Sequence, residues 1–174
     1  KLKSTYDFLY ISAGAQKATP LNIDGIEAAG VYDSLAFLKN VKAGNIKGVG
    51  KNVVVIGGGN TAMDAARTAH RLVGTNGKVT VVYRRTIDEM PADEGEINAV
   101  MAEGAEIVEL SAPERLIIEK GNVCGLVCSR MKLEGTDAKG RPKPVRVNNS
   151  EFTIPCDTVI PAIGQEVDID FVPK

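Results

Sequence analysis

The sequence predicts an α/β fold: a parallel sheet with helices on both faces, followed by an antiparallel β-meander. Three observations carry this. Val53-Val54-Val55-Ile56 runs into Gly57-Gly58-Gly59, and a helix-compatible stretch, Ala62 to Leu72, follows. Strand and helix patterns then alternate as far as Leu110, which is how a parallel sheet with crossover helices reads. Beyond Leu110 the β-rich runs are separated only by turn residues, so no helix intervenes and the strands must pair antiparallel.

Taken in order, Tyr6-Asp7-Phe8-Leu9-Tyr10-Ile11-Ser12-Ala13-Gly14-Ala15 reads as a strand ending in small residues. Residues 16–30 carry Pro20, Gly25 and Gly30 and form a connection. Asp33-Ser34 caps a helix from Leu35 to about Val41. After the central strand and its helix, Gly74 and Gly77 break the chain, and Val79 to Tyr83 is a second strand, apolar almost throughout as doubly covered strands are. Asp93 opens a second helix with Glu94 and Glu96 in its first turn, and Ile97, Val100 and Met101 form its inward stripe. Ala105 to Leu110 is a third strand. Gly121-Asn122 marks a hairpin between β runs at 115–119 and 125–133, and 139–144 is read as an exposed, mobile turn that binds nothing. Asp157 to Ala162 is a fourth parallel strand, laid beside the first.

The spacing Gly57-x-Gly59-x-x-Ala62 matches G-x-G-x-x-G/A, the turn of a Rossmann-like dinucleotide fold. Gly57 permits the sharp turn off the strand. Gly59 lacks a Cβ, so a pyrophosphate can approach the backbone, and Ala62 lets the helix pack close. Gly58 completes the turn, and free amides near Asn60 and Thr61 face the phosphates at the positive end of the helix. A turn of this composition also occurs without a ligand; the end of the second strand favours one. Arg84 and Arg85 stand where a site for NAD or FAD usually carries an acid for the ribose 2′-hydroxyl. Guanidinium forks suit a 2′-phosphate, which carries about two negative charges near neutral pH. The pair therefore points to NADP(H). The backbone at Ala162, Ile163 and Gly164 ends the fourth strand at the switch point, where it borders the nicotinamide half.

The chain has 174 residues, 44% hydrophobic and 25% charged, with net charge −1. That composition gives a globular domain with a core and no basic field for nucleic acid or an anionic membrane. No apolar run reaches membrane-spanning length, and no leader is visible. Cys124, Cys128 and Cys156 match neither a redox pair nor a zinc pattern, so they read as buried small side chains in a reducing cytoplasm. His70, the one histidine, has no companions for a metal or catalytic role. No catalytic side chain and no metal site is expected.

The blocks Tyr6-Asp7, Ser12-Ala13-Gly14-Ala15, Val54 to Asp64, Tyr83-Arg84-Arg85, Met90-Pro91 and Ala162-Ile163-Gly164-Gln165 together resemble the NADPH domain of the glutamate synthase small chain. They are similar also to the matching domains of dihydropyrimidine dehydrogenase and of selenate-reductase-like subunits. The resemblance covers nearly the whole chain. It implies a flavin-dependent pyridine nucleotide oxidoreductase whose NADPH domain is inserted into a split FAD domain. On that plan residues 1–40 flank from the FAD domain, 41–165 form the NADP(H) domain with its meander at about 114–155, and 166–174 begin the return to the FAD domain. The chain is then a fragment: FAD binds mostly outside it, and iron–sulfur or other electron-accepting domains or subunits are partners. The function implied is hydride delivery from NADPH to FAD for onward electron transfer. This chain departs from its relatives at Asn60, where they often carry Asp, and in a second helix opening Asp93-Glu94 without a basic residue. Two rivals share the turn and the arginines: a nucleotide-sensing module without a redox step, and a glycine motif that holds FAD itself. The strand-end arginines oppose the second, since FAD has no 2′-phosphate.

Overall fold

A computed structural model describes residues 5–46, 48–168 and 170. Its elements are β1 (Lys17–Ala18), α1 (Ser34–Lys42), β2 (Asn52–Ile56), α2 (Asn60–Val73), β3 (Lys78–Val82), α3 (Glu94–Ala102), β4 (Glu106–Val108), β5 (Ser111–Glu119), β6 (Asn122–Thr136), β7 (Pro142–Pro155), β8 (Thr158–Pro161) and β9 (Gln165–Glu166).

The main sheet has the order β4-β3-β2-β8, with every pair parallel. β2 lies inside it, bonded to β3 on one side and to β8 on the other, as the sequence predicts. Its side chains alternate between two cores. Val53 and Val55 join Val79, Val81 and Ile160 on one face, while Val54 and Ile56 join Val82 and Val159 on the other.

The helix arrangement differs from the expectation. Phe37 of α1, Ala62, Met63, Ala66 and Ala69 of α2, and Ile97 and Val100 of α3 all enter the same core. The helices therefore cover one face of the sheet. The opposite face is covered by the meander through Leu116, Val123, Leu126 and Cys128. The steps β2→β3→β4 run one way along the sheet, and right-handed crossovers then put both helices on one side. The step from β4 back to β8 runs the other way, and the element that makes it is the meander β5-β6-β7.

Local signals hold at the helix starts. Asp33 caps α1 by accepting from Ala36 N at 2.8 Å, and Asp93 caps α3 by accepting from Gly95 N at 2.9 Å. The hairpin at Gly121 turns with Lys120 at φ 50° and Gly121 at φ 83°, the doubly left-handed turn that matches strand twist.

Three expectations fail. Residues 6–15 form no strand, and Phe8 and Tyr10 are 93% and 92% exposed. No described strand pairs with them, so their backbone has no ladder to join. Met101 is turned outward, because α3 buries only Ile97 and Val100. Cys124 is only half-buried, whereas Cys128 and Cys156 are core residues; burial pushes both of those thiols up to about 12, as unreactive packing groups. The return segment expected over 166–174 falls at 169 and 171–174 outside the described residues.

Arg67 ties α2 to α3, donating from Nε to Glu103 at 2.9 Å and from Nη1 to Glu96 at 2.8 Å. The hydrogen bond from Arg67 holds the Glu103 carboxyl below its usual range. A depressed folded value means that this stabilisation is present above the unfolded carboxyl value of about 4.3 and is lost as pH falls through the folded value. Urea midpoints of Glu103→Gln will therefore lie below those of the parent at neutral pH and converge with them in acid. A gap that persists unchanged in acid would refute the assignment.

Candidate nucleotide-binding site

The crevice forms where β2 and β8 end, a volume of about 870 Å³ bounded by the Gly57–Thr61 turn, the end of β3, the end of β8 and the far tip of the β6–β7 hairpin. The three glycines of the turn serve three different ends. Gly57 has φ +144°, and a Cβ there would stand 2.2 Å from the Ala162 carbonyl oxygen. It is thus fixed both by backbone conformation and by the closeness of β8. Gly58 lies over the Tyr83 ring, where a Cβ would fall 2.6 Å from Cε2. Tyr83 cannot swing aside freely, because its hydroxyl donates to the Glu89 carbonyl at 2.8 Å. A Cβ on Gly59 would meet nothing within 4 Å, so its open side is free for a ligand.

The N–H groups of Gly58, Gly59, Asn60 and Thr61 have no acceptor among the described residues, while Gly57 N donates to Val82 O at 3.0 Å. A run of amides unpaired among the described residues at the start of the 14-residue α2, with no acid in the helix's first turn, has the chemistry to hold an anion. These residues fit a dinucleotide pyrophosphate.

Asn60 has a second duty that the sequence does not announce. Its Oδ1 accepts from Asp93 N at 2.8 Å and so joins the glycine turn to the start of α3. Carboxylate and amide oxygens both accept such a bond, so Asp in place of Asn60 would keep it. Asn60→Ala will lower stability by about 1 kcal/mol, the net value of one such bond, and Asn60→Asp by less. Chemical denaturation of the two variants checks this; equal losses would refute it.

The two arginines are not equivalent. Arg84 is exposed, and its guanidinium has no partner among the described residues. Arg85 is 3% exposed. Its Nε donates to Pro142 O at 2.7 Å, and its Nη2 pairs with Asp137 at 3.0 Å. Arg85 therefore anchors the β6–β7 hairpin to the end of β3. The hairpin tip is correspondingly ordered by Asp137, whose Oδ1 accepts from Lys139 N at 2.8 Å and from Arg141 N at 3.0 Å. These bonds hold the Asp137 carboxyl below its usual range.

On the β8 side, Ala162 N donates to Ile56 O at 2.8 Å, Ile163 is exposed, and Gly164 O accepts from Thr19 N at 3.0 Å. The Gln165 amide donates to Thr61 Oγ1 at 2.6 Å, spanning the crevice mouth. Nothing in the sequence signals this contact, since the partners are 104 residues apart. No cluster of three or more His, Cys, Asp or Glu side chains suited to a metal occurs among the described residues, and no described helix is long and apolar enough to cross a membrane.

A parallel sheet with a glycine turn at the end of its inner strand, opening onto unpaired helix amides, defines an α/β domain on the dinucleotide-fold plan. The profile of the pyridine nucleotide-disulphide oxidoreductases matches residues 1–174, and the chain belongs to that family. It is 38% identical to the NADPH-Fe(3+) oxidoreductase subunit beta of Geobacter sulfurreducens, over 99% of this chain and 26% of that protein. It is 33% identical to the glutamate synthase [NADPH] small chain of Azospirillum brasilense, over 95% of this chain and 36% of that one. The chain thus spans about a quarter to a third of these relatives. Among solved structures, Mycobacterium tuberculosis FprA in complex with NADPH superposes with a TM-score of 0.73 at 20% identity, covering 99% of this chain and 53% of that one. That likeness is one of fold.

Proposed function

We propose that the chain is the NADP(H)-binding domain of a flavin-dependent oxidoreductase, in which hydride passes from NADPH to FAD for onward electron transfer. The observation that carries the reading is the row of amides from Gly58 to Thr61, beside an exposed Arg84, all without partners among the described residues. The amides suit the pyrophosphate, and Arg84 suits a 2′-phosphate. Arg85 supports this reading indirectly, by holding the wall behind the adenosine end. Ala162, Ile163 and Gly164 border the nicotinamide half. The two cofactors supply the redox chemistry; the task of this chain is to bind and orient.

The domain plan is part of the proposal. Residues 41–165 are the NADP(H) domain, 1–40 and 166–174 connect to an FAD domain, and iron–sulfur or other acceptors lie in further domains or subunits. Two facts support it: the curated relatives are much longer than this chain, and the exposed apolar run at Tyr6, Phe8 and Tyr10 lacks a partner among the described residues.

The test is calorimetric titration of the chain with NADPH, NADH and FAD. NADPH is expected to bind most tightly. Equal affinity for the two nicotinamide nucleotides would defeat the reading, and tightest binding of FAD would reassign the glycine turn.

A further inference from the structure

The β6–β7 hairpin tip belongs to no element of the dinucleotide plan, yet Arg141 at its end lines the same crevice as Arg84 and the glycine turn. We infer that Arg141 is a specificity-determining residue, delivered across the sheet to the 2′-phosphate of a bound NADP(H). The inference rests on the function proposed above and adds a contact to it.

Position comes first. Arg141 Nη2 and Arg85 Nη2 lie 3.3 Å and 3.0 Å from the same oxygen of Asp137. Arg141 is thereby fixed beside the end of β3, where the adenosine ribose of a dinucleotide lies in this fold. Charge comes next. The Asp137 carboxylate is spent within the hairpin: Oδ1 takes two backbone N–H groups, and Oδ2 takes the two guanidinium groups. Two guanidinium groups on one carboxylate leave one positive charge in excess, and Arg84 adds a second. That matches a phosphomonoester bearing about two negative charges. Availability is the third point. Arg85 is enclosed, but Arg141 is 41% exposed on its side chain; its Nη2 is engaged by Asp137, its Nε is buried, and its Nη1 has no acceptor among the described residues. Free donors on a half-open guanidinium suit a ligand oxygen.

Titrate the parent chain, Arg141→Ala, Arg141→Gln and Arg141→Lys with NADPH and with NADH, with a thermal melt of each. Removing one charge-assisted contact corresponds to roughly a tenfold loss. Arg141→Ala and Arg141→Gln are expected to bind NADPH about tenfold more weakly and NADH unchanged, and Arg141→Lys to recover part of the loss. An unaltered NADPH-to-NADH ratio in folded variants would overturn the inference and leave the proposed function standing. Equal losses for both nucleotides would also overturn it, since the hairpin would then act only as a wall. A parent chain with no preference for NADPH would remove the proposed function, and this inference with it.

Discussion

Gly57→Ala will cost the domain about 3–5 kcal/mol and abolish nucleotide binding. The residue combines a backbone conformation that side-chain-bearing residues adopt at about 1–3 kcal/mol with a contact that no rearrangement of side chains relieves. The obstacle is the Ala162 carbonyl oxygen, 2.2 Å from where the Cβ would stand, and that carbonyl belongs to backbone held by the bond from Ala162 N to Ile56 O. Inserting a methyl there must push β8 away from β2, through Val159 and Ile160 in both cores. A loss of this size is a large share of the 5–15 kcal/mol that domains possess. Gly58→Ala provides the contrast. There the obstacle is the Tyr83 ring, so truncating Tyr83 in the same chain will restore part of the loss, whereas no single truncation will rescue Gly57→Ala. Urea unfolding of the two single variants and the Gly58/Tyr83 pair decides it. A Gly57→Ala chain with a parental midpoint would show that β8 does not press on the turn.

Arg84→Ala and Arg85→Ala will fail in different ways, although the residues are adjacent and identical. Arg84→Ala removes an exposed cation that has no partner among the described residues. It will leave the melting temperature unchanged and reduce the preference for NADPH over NADH by about ten- to a hundredfold, the range of one or two charge-assisted bonds to phosphate. Arg85→Ala empties a buried guanidinium position and strips Pro142 O and Asp137 of a donor. Breaking an enclosed pair from one side costs about 3–5 kcal/mol. Here Asp137 keeps Arg141 and is partly exposed, so a loss of about 2–3 kcal/mol is expected, with a loosened hairpin. Calorimetric titration and chemical denaturation of both single variants separate binding from stability. Loss of nucleotide preference in Arg85→Ala without loss of stability would invert the assignment.

The difference between these arginines marks how far the sequence can be read. What depends on neighbours in the chain was legible: Asp33 and Asp93 as caps, the glycine turn, the hairpin at Gly121, and β8 as a parallel partner of β2 from its apolar run. The α/β class, the parallel sheet and the meander followed. What depends on distant partners was not. Arg85 reads as a second guanidinium fork for the 2′-phosphate until Asp137, 52 residues on, is brought against it. The hairpin tip reads as idle for the same reason. Nor does periodicity reveal which face a helix covers; the direction of each step along the sheet decides that, which is why the sequence suggests helices on both faces where the fold has them on one. The apolar pattern at residues 6–15 is strand-like, but a strand also needs a neighbour to pair with.

The position of β2 has a consequence for how the chain is made. One edge of β2 is closed by β3, about twenty residues later, but the other waits for β8, about a hundred residues later. During synthesis that second edge stays unpaired while helices and meander emerge, and only the last described strand of the main sheet seals it. Such long-range closure is slow and exposes an adhesive edge in the interim. A nascent chain halted before residue 158 would carry its most apolar strand half open, ready to recruit the same strand of another copy.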